Sequence, residues 1–81
     1  MKTRTDKELK GFAILANTYS FNYAMGKKYN DPALMDMSLE RFTTLSNLLN
    51  SEGYYIERVG KDYLDNFGIT YSTYEVRKSE L

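Results

Sequence analysis

The side chains that could carry acid–base or metal chemistry in this sequence are carboxylates, and Glu57, Asp62 and Asp65 form their densest group. Two neighbouring carboxylates can share a proton, and several can hold a divalent cation. The spacing is not that of an EF-hand loop, and acids beside a turn usually cap it or face water. We therefore predict no metal site, no cofactor and no catalytic residue.

The residue types behind most enzyme mechanisms are missing. The chain has no histidine and no cysteine, which most nucleophile–base pairs, zinc sites and pH switches require. Gly60-Lys61 lacks the glycine spacing and the following hydroxyl of a phosphate-binding loop. The sequence predicts a protein that is not an enzyme.

Aromatic residues are abundant: eight Tyr and four Phe in 81 residues. Tyrosine contributes large contact areas and is enriched among the residues that dominate binding energy. A β-hairpin buries one face, so some of the rings between residues 54 and 74 must point away from the helices and could contact a partner. The alternative is that the rings are buried cross-strand pairs, in which case their loss unfolds the protein. We predict a partner-binding surface formed by Tyr54, Tyr71, Tyr74, Arg58 and Arg77.

A first helix is predicted at about residues 6–26. Thr5 and Glu8 form a capping-box pattern at its start, and apolar residues then recur at helical spacing. Gly26, followed by two lysines, is typical of a helix end.

A second helix is predicted at about residues 32–51, antiparallel to the first. Asp31 before Pro32 is a strong start signal, although Ser38 could instead cap a helix that begins later. Four apolar residues are expected to face the first helix: Leu39, Phe42, Leu45 and Leu49.

The last third of the chain is β-prone, at residues 54–59 and 69–77. In the second run the apolar residues switch from one face of the strand to the other. A bulge near Ser72 and Thr73 would bring them onto the same face. We prefer two antiparallel strands joined by an irregular nine-residue connection, 60–68, within which residues 62–68 could form one capped helical turn or a short middle strand. The predicted fold class is α+β: an N-terminal antiparallel helical hairpin packed on a short C-terminal antiparallel β-hairpin or three-stranded sheet.

Charge is unevenly distributed, although the net charge is zero: residues 1–28 carry +4 and residues 29–66 carry −4. Basic residues interleaved with aromatics suit single-stranded nucleic acid. The residues of such a strip would be Lys2, Arg4, Lys7, Lys10, Tyr19 and Tyr23. Dedicated nucleic-acid binders neutralise many phosphates, so nucleic acid is not the expected partner.

We expect a single domain over residues 1–81, with frayed ends at 1–5 and 78–81. A chain this short buries only about 60% of its unfolded surface and lacks disulfides, so we expect a homo-oligomer. The sequence contains neither an apolar run of membrane-spanning length nor a secretory-signal pattern. The expected location is cytoplasmic, without a membrane partner.

Composition also suggests an origin, because residue types written with AT-rich codons are abundant. These features together predict a small non-enzymatic protein-interaction module whose partner is a larger host protein. In a phage or mobile element it would be an anti-defence inhibitor that blocks a host enzyme or defence complex. Two alternatives are a small nucleic-acid-binding transcriptional regulator and an oligomeric nucleotide-binding sponge with stacked Tyr between subunits.

Overall fold

Two helices followed by two strands form the protein in the computed structural model, which describes residues 3–64, 66 and 68–80. The elements are α1 (Asp6–Lys28), α2 (Pro32–Ser51), β1 (Tyr54–Leu64) and β2 (Ile69–Lys78). The strands pair antiparallel in a two-stranded sheet, and α1 packs against both α2 and β2. The predicted α+β fold, a helical hairpin followed by a β-hairpin, is confirmed. Neither helix of this part of the chain is apolar enough over the required length to cross a membrane.

Local side-chain caps determine where both helices begin. The Thr5 hydroxyl accepts a hydrogen bond from the Glu8 amide, and the Glu8 carboxylate accepts one from the Thr5 amide (3.1 Å each), so the predicted capping box is confirmed. Asp31 caps α2, which begins at Pro32 as predicted. Ser38 is buried inside α2, which excludes the alternative of a later start.

The prediction that Gly26 ends α1 is wrong, because the helix continues to Lys28. Gly26 is buried where α1 crosses α2, and a Cβ there would lie 2.9 Å from Met35 Cγ. The helix ends at Lys28, and Asn30, two residues later, adopts the left-handed conformation with φ 54°. The Asp31 amide then donates to the Gly26 carbonyl (2.7 Å), as in a Schellman motif.

A small core lies between the helices and the sheet. Leu45 and Leu49 are buried, as predicted, and Phe42 is half-buried against that core. Leu39 does not face α1 but is 55% exposed, because six residues of helix rotate it about 120° away from Leu45. The buried apolar residues are Ala16, Leu45, Leu49, Tyr54 and Ile69.

The first strand is longer than predicted, so the expected nine-residue connection is wrong. Residues 60–64 pair with residues 69–73, which leaves 65–68 as the connection. The irregularity also lies on the other strand from the one expected. Arg58 pairs with Tyr74 and Gly60 with Thr73, so Val59 is the extra residue, and neither Ser72 nor Thr73 is.

The apolar residues of β2 change parity beside this bulge. Ile69 and Tyr71 are turned toward the helices at one end of the strand, and Tyr74 and Val76 at the other. Since β2 itself has no extra residue, the two sets lie on opposite parities of one continuous strand, and the bulge in β1 adds local twist where one set gives way to the other.

Long-range contacts of Arg4, which we call the Arg4 lock, hold the chain just before α1. The Arg4 guanidinium binds both carboxylate oxygens of Glu52 (2.7 and 2.8 Å) and one of Glu8 (3.1 Å). Its backbone amide donates to the Tyr54 hydroxyl (3.1 Å). Arg4, in a stretch expected to fray, therefore joins the start of α1 to the junction of α2 and β1.

Candidate functional site

An open groove of about 420 Å³ lies between the second half of α1, the first half of α2 and the first half of β2. We call it the aromatic groove. Its large side chains are Tyr19, Tyr23, Leu39, Phe42, Tyr71 and Tyr74. Five of these six are aromatic, so the groove concentrates ring surface beside the small core.

Contacts between elements hold the groove walls in place. The Tyr74 amide donates to the Asn17 side-chain oxygen (2.7 Å), which ties β2 to α1. The Tyr74 ring lies 5.0 Å from the Phe42 ring of α2, centroid to centroid. Tyr71 meets Phe21 of α1 edge-on at 5.3 Å. Rings held in this way are ordered before any ligand arrives, which lowers the entropy cost of binding.

The Tyr71 hydroxyl is neutral at physiological pH. Burial raises the pKa of Tyr71 above its ordinary value of 10, and its hydrogen bond to the Asp62 carboxylate (3.2 Å) raises it further. Both causes disfavour the phenolate. The hydroxyl therefore acts as a hydrogen-bond donor and not as a base or nucleophile.

The aromatic groove carries little charge. Lys27 is the sole charged side chain among the described residues that line it. A second groove of about 320 Å³, between the start of α1 and the end of β2, is instead rimmed by Asp6, Lys10 and Glu75. The first groove is therefore the better match for apolar and aromatic groups.

The three predicted tyrosines occupy two different environments. Tyr71 and Tyr74 line the aromatic groove together, and their role in binding a partner stays a prediction. Tyr54 is 4% exposed and belongs to the core. Its burial favours the alternative in which loss of the ring unfolds the protein.

The two predicted arginines already have partners within the chain. Arg58 donates to the hydroxyl of Ser72 (3.1 Å), a residue of the groove wall. Arg77 binds Glu57 of the neighbouring strand (2.8 Å) and Glu75 of its own strand (2.6 Å). Arg58 thus reaches the margin of the groove, whereas Arg77 is engaged elsewhere.

Exposed rings also occur on β1. Tyr55 and Tyr63 are 41% and 55% exposed, and Val59 between them is 47% exposed. They are spaced along one strand, and they line neither of the two grooves described above.

Ten of the twelve described residues that line the groove are absent from the predicted site, among them Tyr19, Tyr23, Leu39 and Lys27. The sequence pattern groups Tyr19 and Tyr23 with the basic N-terminus and places Leu39 in the core. The position of Leu39 could have been found from helical geometry. Leu39 is rotated about 120° from Leu45 around α2, which is too far for both residues to lie on the buried side of the helix.

The carboxylate group does not assemble a metal centre in the part of the chain that is described. Glu57 pairs with Arg77, Asp62 accepts from the Tyr71 hydroxyl and the Tyr63 amide, and Asp65 lies outside the described residues. No three His, Cys, Asp or Glu side chains among residues 3–64, 66 and 68–80 lie together as a cation site.

The basic strip expected at the N-terminus offers fewer cations to a ligand than the sequence suggests. The guanidinium of Arg4 is bound to Glu52 and Glu8, and Lys2 lies outside the described residues. Lys7 and Lys10 are exposed, and two cations neutralise few phosphates.

Comparison with known proteins does not assign a function to these surfaces. No protein family matches the chain, no curated protein is significantly similar in sequence, and no solved structure is significantly similar to it.

Proposed function

We propose that the protein is a non-enzymatic interaction module that takes up apolar side chains of a larger protein in the aromatic groove. The observation that carries the proposal is the convergence of five rings and Leu39 from three elements on one open concavity. Partner-binding hot spots are clusters of aromatic side chains that receive a partner's side chain in a pocket.

The charge of the groove supports a protein ligand over a nucleotide. A nucleotide brings two or more negative charges, which proteins bind with several cations or with helix N-termini. The groove offers Lys27 at the C-terminal end of α1, where the helix dipole is negative. An apolar segment carrying a hydroxyl or carbonyl group suits the rings and the hydroxyls better.

We further propose that the protein is an inhibitor that acts by occupying a surface of its partner. The abundance of residue types written with AT-rich codons fits a low-GC bacterium or a phage that infects one. The small accessory proteins of a phage or mobile element would meet host enzymes or defence complexes. The groove itself supports binding, and inhibition follows if the occupied surface is a functional one.

The test is affinity capture from a host lysate, with bound proteins identified by mass spectrometry. Leu39→Arg and Tyr23→Ser alter exposed groove side chains, so both variants should stay folded. We expect a protein captured by the wild type to be lost with both, with its affinity lowered by about tenfold or more.

Tyr55→Ser is the matched control, because it removes a ring of similar exposure on β1 outside the groove. It should capture the same protein with unchanged affinity. A partner that Leu39→Arg and Tyr23→Ser still bind, while Tyr55→Ser does not, would contradict the proposal.

A further inference from the structure

Two rings of the aromatic groove are held at a fixed interval along β2. Tyr71 and Tyr74 are three residues apart, which separates them by about 10 Å in an extended strand. Phe21 of α1 packs on the first ring and Phe42 of α2 on the second. A ligand that contacts both rings must therefore present apolar groups about 10 Å apart.

This interval is close to one turn of a polyproline II helix. Such a helix has three residues per turn and rises about 3.1 Å per residue, so every third side chain returns to the same side after about 9 Å. A β-strand returns to the same side after two residues, or about 7 Å, which does not match. Two turns of an α-helix span about 11 Å and come close as well.

Hydrogen-bond donors in the groove separate these two matches. Of the twelve described residues that line it, eight carry a hydroxyl group. The Tyr71 hydroxyl donates to Asp62, whereas the hydroxyls of Tyr19, Tyr23 and Tyr74 have no partner within the described part of the chain. These three hydroxyls can donate to acceptors of a ligand.

A proline-rich segment supplies such acceptors. Polyproline II has no internal hydrogen bonds, and proline has no N–H group, so the backbone offers carbonyl oxygens without competing donors. An α-helix binds its carbonyl oxygens internally and would leave the tyrosine hydroxyls unused. The hydroxyls therefore favour the polyproline II conformation.

Charge gives the groove two different ends. On β2, Tyr74 bonds to Asn17 of α1. Tyr71 packs on Phe21, about one helical turn later, so β2 runs antiparallel to α1. Lys27 is exposed and lies six residues after Phe21, about 9 Å further along α1. Its ammonium group therefore lies beyond the Tyr71 end of the ring pair, where it complements an acidic residue of a ligand.

Building on the function proposed above, we propose that the aromatic groove binds a proline-rich segment of the partner in the polyproline II conformation, with an acidic residue beside Lys27. Two of its prolines, three residues apart, contact the rings of Tyr71 and Tyr74. Both surfaces are ordered before they meet, because neighbouring rings hold the tyrosines and polyproline II is stiff. Binding therefore costs little conformational entropy.

Titration of the labelled full chain with synthetic peptides, followed by amide chemical shifts, tests this ligand. The probe is an acetylated peptide of six prolines followed by two aspartates, added up to millimolar concentration. It should shift the signals of Ser20, Leu39, Thr70 and Ser72 in a saturable way.

A peptide with alanine in place of every proline keeps the charge and loses the conformation. It should bind about tenfold more weakly or worse. Alanine is the best helix former, so the same peptide also represents a helical ligand. Tyr19→Phe combined with Tyr23→Phe keeps both rings and should weaken the proline peptide by about threefold or more, through the lost hydrogen bonds.

Exchange of charge tests the position of the acidic residue. Lys27→Glu should weaken the aspartate peptide and strengthen a proline peptide that ends in two lysines. Lys7→Glu is the matched control, because it makes the same charge change at an exposed position of α1 outside the groove. At physiological salt it should leave both affinities unchanged.

Three results would overturn the proposal: groove signals unmoved by millimolar proline peptide, equally tight binding of the alanine peptide, or equal effects of Lys27→Glu and Lys7→Glu. If a partner captured from lysate depended on Leu39 while the proline peptide failed to bind, the ligand would be wrong and the proposed function would stand. A captured partner unaffected by Leu39→Arg would instead contradict the proposed function.

Discussion

Tyr71 illustrates how one side chain combines packing with polarity. Its ring packs edge-on against Phe21, and its hydroxyl donates to Asp62, whose other oxygen accepts from the Tyr63 amide. The hydrogen bond runs between adjacent strands, because Asp62 and Tyr71 are paired in the sheet. One residue therefore orients a groove wall and joins the two strands.

Replacing Tyr71 with Phe should change the alkaline behaviour of the protein. The pKa of Tyr71 is raised in the folded state, so its stabilising contribution is present below the ordinary tyrosine pKa and is lost as pH rises through the raised value. Tyrosinate absorbance, unobscured because the chain has no Trp, should show that Tyr71→Phe removes a phenol whose pKa lies above the ordinary tyrosine value. It should also flatten the decline in melting temperature above about pH 10. If the melting temperature of Tyr71→Phe declined at high pH as steeply as that of the wild type, Asp62 and burial would not be raising the pKa of this hydroxyl.

Two glycines of α1 differ in what surrounds them, although both lie inside the helix. At Gly26 a Cβ would approach the side chain and backbone of Met35 at 2.9 and 3.1 Å, whereas at Gly11 it would meet nothing. Glycine lowers helix stability relative to alanine, so only Gly26 has a packing reason to be glycine within one chain.

Paired alanine substitutions should therefore have opposite signs. Gly11→Ala should stabilise the monomer by up to about 1 kcal/mol, since alanine is the better helix former. Gly26→Ala should destabilise it, because α1 and α2 must separate to admit the methyl group. Urea unfolding, at concentrations where light scattering gives a monomer, measures both. Stabilisation by Gly26→Ala would mean that the helices do not cross closely there.

Elements defined by local signals were predictable, and those defined by tertiary contacts were not. The caps at Thr5 and Asp31 act over three residues, so the sequence reveals them. The role of Gly26 depends on α2, and the bulge at Val59 depends on the partner strand. A local pattern contains neither kind of information.

The candidate site was predictable to the same extent. Tyrosine abundance pointed to Tyr71 and Tyr74, which both line the groove. The environment of Tyr54 depends on which face of the sheet the helices cover, and alternation alone leaves that choice open. Leu39 required a decision about which side of α2 meets the core.

At the scale of the whole molecule, the Arg4 lock joins segments 48 residues apart. Its guanidinium engages Glu52 with two nitrogens and stacks 5.1 Å over the ring of Phe12. Bidentate geometry of this kind is specific to arginine, since lysine offers a single point charge. The lock closes the end of the molecule opposite the aromatic groove, where α2 passes into β1.

Arg4→Lys should lower the melting temperature although it conserves charge, because the two-nitrogen contact with Glu52 and the stacking are lost. Arg77→Lys is the matched control: Arg77 also binds two carboxylates, but its side chain is 47% exposed against 16% for Arg4. Calorimetry should find the larger decrease for Arg4→Lys, and 1 M salt should reduce the Arg77 effect more. Equal effects would mean that the lock contributes no more than an ordinary surface pair.

The footprint of a captured partner on the protein tests the central claim most directly. Amide chemical shifts of the labelled 9.4 kDa chain, recorded with and without that partner, locate the contact surface residue by residue. We predict changes concentrated at Tyr23, Leu39, Thr70 and Ser72 around the aromatic groove. Changes confined to Tyr55 and Tyr63 on β1, with the groove signals unmoved, would contradict the account.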